Sequence, residues 1–491
     1  MIPVEQDFKR RVETVPRLEL GLSIDLYSPD LFELMARFDG QEYQPGYLEV
    51  FRAPELALQR LRQRFPTITL ACHGEGLWVT QPDFATTPFF NEEMNDVARE
   101  LTVLRSPWLN HECATKQMAG YSFGTYLPPL YTSESAAVVA DNITLLQEKM
   151  DRTIFPEGAV GPLFLLEMPP LTYFMAGTIP IPQFFRRVTD QAPCGLVLDM
   201  GHLWTVYRYT AARHRLSLEQ FIEQFLDEFP MERVVEIHVA GLDCHESAGQ
   251  QGRNDVLPEW VDAHAAPIQA VSWAMLEQVL AHSKLTNLRG VALEVDTKPI
   301  ENIVQEFSSA TERFGSMVQR TIEHGSDKTI STPQRTARLV DRISATDRDR
   351  EQLHESYVRY AKIASGYHPP EGPEWQGVLE DPTGLARYVE NYLPYEILHW
   401  GGDVIGMFPE TSHALLKLGL AFDGFVAWWF HTPRPIDRPY DYFLLKIDYV
   451  LAFIAERAPA CLGIAEQEAD GLRMAYADAN NALPPVMETA R

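Results

Sequence analysis

Five histidines and four carboxylates stand at the ends of short apolar runs, or just beyond them: His73, His111, Glu167, Asp199, His202, His238, Asp262, His264 and Glu294. Imidazole and carboxylate together suit zinc, iron or manganese, and no thiolate is required. One ion offers only about four to six positions, so nine ligands predict a site of about two or three ions. A carboxylate such as Glu167 could bridge them. The four anionic ligands would leave three divalent ions with a positive remainder, which invites hydroxide or an anionic substrate group. Two further acids are candidate catalytic, proton-relaying groups. Glu112 follows His111 directly, and Asp296 lies two residues beyond Glu294, on the same strand face.

Any one of these residues is ordinary by itself, since a strand-end histidine is more often structural or solvent-facing. Their recurrence at the ends of consecutive units is what points to metal. Burying so many ionisable groups without ions would be costly. Other clusters read as bland. Asp243-Cys244-His245 competes as a ligand set but reads as a loop. Cys72 should point away from His73 and into the core. Glu49, in YLEVF, reads as a rim residue. Trp428-Trp429-Phe430 reads as helix core, and Cys113, Cys194 and Cys461 show no pairing.

Eight apolar, β-branched runs must position these groups: 19–26, 47–51, 67–73, 106–112, 163–168, 195–202, 234–241 and 290–296. Continuous apolar runs suit strands buried on both faces of a parallel sheet. Segments with helical spacing lie between them, at 53–65, 135–150, 216–229 and 272–283. Eight alternations predict an α/β fold, a (β/α)8 TIM barrel, whose C-terminal strand ends converge on one mouth. An open nucleotide-binding sheet would usually carry a Gly-rich first turn, and GLSIDLYSPD has a single glycine. A polar stretch at 325–333 separates the barrel, 1–328, from a smaller all-α C-terminal domain, 329–491. Helical patterns there cover 335–364, 385–398, 410–430 and 441–458, and residues 484–491 read as frayed.

The chain has 491 residues, 42 basic against 68 acidic, for a net charge of −26. That balance argues against a nucleic-acid partner, which needs a basic footprint. No run reaches the ~18 apolar residues of a membrane span. MIPVEQDFKRRVETVPR lacks the apolar core of a signal peptide. Five cysteines without a CxxC pair point to a reducing compartment, the cytoplasm.

The order His, His, Glu, DxxH, His, DxH, Glu along a β/α barrel resembles the endonuclease IV and xylose-isomerase-like superfamily. EIHVAGL (236–242), VDAHAAPIQAVSWAMLEQVL (261–280) and GVALEVDT (290–297), with LDMGHLW (198–204), resemble more closely the multinuclear non-haem iron-dependent oxidative enzymes. That group contains the methanobactin-biosynthesis oxidase. The likeness spans roughly 17–315. Two positions depart from the family pattern: Ala265 stands where glycine is usual, and Met168 where asparagine is usual. The resemblance implies two or three irons of mixed Fe2+/Fe3+ state. One would lie on His73, His111 and Glu167, a second on Glu167, Asp199, His238 and Glu294, and a third on His202, Asp262 and His264. It implies oxidation by dioxygen of a ribosomally made precursor peptide, commonly at cysteine. A leader-binding partner protein, or the fused C-terminal domain, would present that peptide. The residues themselves leave two alternatives: a zinc hydrolase or phosphodiesterase of the endonuclease IV type, and a sugar isomerase or epimerase.

Overall fold

The computed structural model describes residues 2–154, 160–244, 260–327, 344–366 and 378–481. Twelve strands are present among them: β1 (Glu19–Ile24), β2 (Tyr47–Phe51), β3 (Thr69–His73), β4 (Trp108–Glu112), β5 (Thr115–Met118), β6 (Tyr121–Leu127), β7 (Leu163–Glu167), β8 (Gly195–Asp199), β9 (Val234–Val239), β10 (Leu242–Cys244), β11 (Trp260–Asp262) and β12 (Gly290–Glu294). Eight of them close a barrel in the order β1-β12-β9-β8-β7-β4-β3-β2. Every barrel pairing is parallel. These eight are the eight apolar runs of the sequence. Their residues are almost all buried, because helices cover the outer face and side chains fill the inner one.

Strand alternation sorts the interior into layers. The lower layer is apolar and includes Tyr47, Ala71, Trp108, Leu165, Val197 and Ala292, closed from below by Phe8 and Val12 of the helix Val4–Val12. Two residues further along each strand the layer turns polar, with Ser23, Glu49, His73, Asn110, Glu167, Asp199 and Glu294, all buried. Register sets these groups level across the sheet: Ser23 pairs with Glu294 and Glu49, Glu112 with Glu167, and Asp199 with His238.

Two antiparallel hairpins that the sequence did not predict follow barrel strands at the mouth, β5–β6 and β10–β11. The first turns through Ala119 and Gly120, both at positive φ (50° and 80°). Alanine in that first position hides the Asn-Gly or Asp-Gly signal that usually marks such a turn. Asp243 and Cys244, expected in a loop, lie on β10 instead, with Asp243 exposed; His245 falls outside the described residues.

The C-terminal region is helical. Its longest helices are Asp347–Ala364, Tyr442–Arg457 and Leu462–Asn481. The expected 410–430 helix is interrupted: Pro409–Lys417 and Phe425–Trp429 flank Gly419, which sits at φ 70°. Leu462–Asn481 was not anticipated, because it buries the small Ala465 and Ala469 rather than a bold apolar stripe. The expected boundary at 328–329, the 335–343 part of one helical pattern and the 484–491 tail lie outside the described residues. Barrel and helical region share one apolar core, running from Leu22 and Leu109 through Phe174 and Tyr360 to Trp429 and Ile454. Trp428, Trp429 and Phe430 are buried in it, as the sequence indicated.

Candidate metal centre

Glu167, at the end of β7, is the centre of the polar layer. Its Oε2 lies 3.5 Å from His73 Nε2, and its Oε1 lies 3.4 Å from His202 Nδ1 and 3.5 Å from His238 Nδ1. Asn110 Nδ2, on the same interior face of β4 as Glu112, donates to Oε2 at 2.7 Å. Asp199 ends β8 and caps the helix Met200–Tyr209, accepting the His202 N–H at 2.6 Å through Oδ1. The cap explains the DxxH spacing: it brings His202, one turn in, back beside the carboxylate. The Asp199 Oδ2 is buried without a hydrogen-bond partner. On β11 and just after it, Asp262 Oδ2 lies 3.3 Å from His202 Nε2 and 3.5 Å from His264 Nε2. Glu294 closes the ring, with Oε1 3.2 Å from His238 Nδ1 and Oε2 3.4 Å from His264 Nε2.

The histidines share one arrangement. One ring nitrogen meets an outer oxygen: Gly74 O for His73 (3.2 Å), Glu112 O for His111 (2.9 Å), Met168 O for His202 (2.6 Å) and Asp296 Oδ2 for His264 (2.9 Å). The other nitrogen of His73, His202 and His264 faces site carboxylates. Such outer partners fix tautomer and ring orientation in metal sites. Asp296 therefore stands behind His264, and its second oxygen accepts the Asp25 N–H. Among the described residues three donor sets come within 4.8 Å, Glu167-Asp199-His238, Asp199-His202-Asp262 and Glu49-Glu236-His238, so Asp199 and His238 each stand in two of them. Asp262 Oδ1, Glu294 Oε2 and both nitrogens of His238 are buried without aligned hydrogen-bond partners. Unsatisfied buried acceptors that converge in this way fit a cation.

His111 stands apart. On β4 it has the opposite parity to Asn110 and Glu112, and it packs against Trp78. Its Nε2 accepts the Leu77 N–H at 3.1 Å. Among the described residues no carboxylate lies within ion-pair distance of it. Burial pushes it down to about 4, so its Nε2 lone pair is free of a proton. Glu112 is buried with Oε2 unpartnered, and burial raises its pKa against the opposing charge of His73.

Charge within the site is held by protons. Burial alone would lower His73, yet the charges of Glu112, Glu49 and Glu167 push it up to about 10. His202, His238 and His264 also rise well above the usual imidazole value against burial, through the surrounding carboxylates. His238, His73 and His202 hold Glu167 well below the carboxylate range although burial opposes it. Burial, helped by the charges of Glu294, Asp262 and Glu167, raises Asp199 to about 8. Metal ions would take the place of these protons.

Two residues corrected or escaped the sequence reading. Glu49 is not a rim residue. It is fully buried, accepting from Ser23 Oγ (3.2 Å) and Trp108 Nε1 (2.8 Å), and its Oε1 lies 3.1 Å from His238 Nε2. Strand parity puts position 49 inside the barrel, one pleat above Tyr47. Glu236, fully buried two residues before His238, accepts from Tyr47 Oη at 2.6 Å. A charge two residues before a candidate ligand in an otherwise apolar strand was the available signal. Cys72, Cys113, Cys194 and Cys461 are buried and free.

The model of a family described as RiPP precursor modification enzyme MbnB/TglH/ChrH matches residues 45–314. A UPF0276 protein of Paraburkholderia phytofirmans is 26% identical over 238 residues, 48% of this chain and 67% of that protein. One of Caulobacter vibrioides is 22% identical over 263 residues, 54% of this chain and 81% of that protein. Among solved structures, endonuclease IV from Thermus thermophilus is 14% identical with a TM-score of 0.36, over 62% of this chain and 99% of its own.

Proposed function

This chain belongs to the RiPP precursor modification enzyme family MbnB/TglH/ChrH, and from that premise we propose that it is an iron-dependent oxidase acting on a cysteine of a ribosomally made precursor peptide. The observation that carries the reading is the convergence of Glu167, Asp199, His202, His238 and Asp262 in two overlapping donor sets at the barrel mouth. His73, His264 and Glu294 complete them. We leave His111 outside these sets, because it lies on the opposite face of β4 from Asn110 and Glu112 and its Nε2 already accepts the Leu77 N–H. Iron bound there would supply a thiolate-binding Lewis acid and an electron donor to dioxygen.

The chain's own residues do the rest. Asp296 and Met168 O hold His264 and His202 in their tautomers. Asn110 holds one oxygen of Glu167. Glu112, whose pKa burial raises, stands at the mouth as a proton acceptor for the substrate thiol or for the cysteine carbon. A two-electron oxidation would reduce dioxygen to peroxide, and a four-electron oxidation would reduce it to water. The β5–β6 hairpin walls the mouth on this side, and the helical region holds that hairpin: Trp429 Nε1 donates to Ser122 O at 2.8 Å, and Glu396 accepts from Thr125 Oγ1 at 2.5 Å. We assign the C-terminal region, 329–491, as a fused domain that frames the peptide's approach, with a leader-binding partner protein as the alternative presenter. The four free, buried cysteines and the lack, among the described residues, of a helix long and apolar enough to cross a membrane accord with a cytoplasmic reaction.

The test is metal analysis of anaerobically purified protein, with Mössbauer spectroscopy of material grown on iron-57. Two or three coupled irons per chain support the oxidase. Zinc without iron, from iron-supplemented cells, overturns it in favour of a hydrolase. A Cys→Ser precursor peptide should then fail to turn over.

A further inference from the structure

His238 differs from the other candidate ligands in what lies behind it. Its Nδ1 faces Glu294 Oε1 (3.2 Å) and Glu167 Oε1 (3.5 Å), inside the donor set. Its Nε2 is the nitrogen near the other two acids, 3.1 Å from Glu49 Oε1 and 3.5 Å from Glu236 Oε2. All of these side chains are buried.

We propose that Glu49 is the positioning residue of the metal centre: it takes the Nε2–H of His238 and so turns the Nδ1 lone pair toward the Glu167–Glu294 side. This rests on reading the mouth as a metal centre. Glu49 is the better placed of the two acids. It is nearer, and Glu236 already accepts the Tyr47 hydroxyl at 2.6 Å. The surroundings of Glu49 also demand a carboxylate rather than any polar group. Its Oε2 accepts the indole N–H of Trp108 at 2.8 Å, while Oε1 meets Ser23 Oγ and His238. Both oxygens therefore face donors, and an ionised carboxylate is acceptor-only. A glutamine cannot satisfy that pattern. With its carbonyl toward His238, its NH2 meets the Trp108 N–H. Turned the other way, its NH2 donates to His238 Nε2 and drives the ring proton onto Nδ1, the face meant for the ion. Carboxylate–histidine–metal arrangements of this kind are worth about 10–100-fold in metal affinity.

The test uses the full-length metal-free protein and Zn2+ alone, titrated against a chelator, with 15N-histidine NMR of His238 as the second readout. Read at a pH alkaline enough to leave the His238 ring neutral, wild type should show the proton on Nε2. Glu49→Gln should weaken Zn2+ binding about 10–100-fold and move the neutral ring toward the Nδ1–H tautomer. Glu49→Asp, which keeps the carboxylate, should retain the wild-type tautomer. Ser23→Ala removes a donor to Glu49 without touching His238, and should leave both readouts near wild type. Glu236→Gln should cost less affinity than Glu49→Gln. An unchanged His238 tautomer in a folded Glu49→Gln protein overturns the proposal, as does a larger affinity loss in Glu236→Gln. Wild type that binds no divalent ion defeats the metal-centre reading instead, and the tautomer readout still decides the role of Glu49.

Discussion

Asp262 shows how one side chain can hold part of the centre together, since among the described residues it alone pairs with both His202 and His264. Asp262→Ala should lower metal content by about one ion per chain while circular dichroism stays unchanged; full occupancy would remove Asp262 from the ligands. A second residue-scale prediction lies outside the mouth. Glu100 is buried beside Arg52, with Oε1 3.3 Å from Arg52 Nε, and burial raises it to about 7. A carboxyl with a raised folded-state pKa binds more protons folded than unfolded. Its stability cost is therefore absent at low pH, grows as pH rises through the interval from about 4.5 to about 7, and is complete above it. Glu100→Gln removes that titration. Relative to wild type, the variant should gain up to roughly 3 kcal/mol between pH 4.5 and pH 8, read by urea unfolding at the two values. A pH-independent difference would show that Arg52 compensates the charge completely.

At the scale of elements, the ligand-bearing turn after β11 depends on a close backbone approach. A Cβ at Gly241 would lie 2.0 Å from Ala266 O and 2.7 Å from Ala263 O, and neither is a side chain that can swing away. Ala263 N also donates to Gly241 O at 2.9 Å. Gly241→Ala should thus shift Asp262 and His264 together and lower metal content as far as Asp262→Ala does, with the barrel still folded. Retained metal would mean that the turn adapts. All eight barrel strands were legible, because a strand buried on both faces must be apolar throughout. The hairpins were not, because β5 is half polar and its turn begins with alanine. His111 was legible as a histidine but not in its direction. Adjacent His111 and Glu112 must face opposite sides of β4, and only packing against Trp78 decides which goes outward.

Among the described residues the barrel and the helical region share one large core, and the candidate metal centre lies at the barrel mouth. Tyr357 and Tyr360 of the helical region are buried against the barrel's own helix and loops: Tyr357 Oη lies 3.3 Å from Ser135 Oγ, and Phe174 meets Tyr388 at 5.5 Å between ring centroids. Deleting residues 344–491 would uncover that apolar surface, and contiguous exposed patches of this kind drive aggregation. The truncated barrel is expected to be insoluble or to melt without a cooperative transition, and a soluble, cooperatively folding barrel would establish two independent domains.

The sequence by itself determined the barrel and its strand positions and marked the candidate donor residues, because apolar periodicity and residue chemistry are local properties. It also marked the last third of the chain as helical. Only the tertiary structure decided which donors share a set, that Asp199 stands between two of them, and that Glu49 lies buried against His238, with Glu236 beside it, rather than at a rim. Those relations are set by barrel register and strand parity. A shift of one residue reverses every side chain's direction, so they exist only once the eight strands have closed.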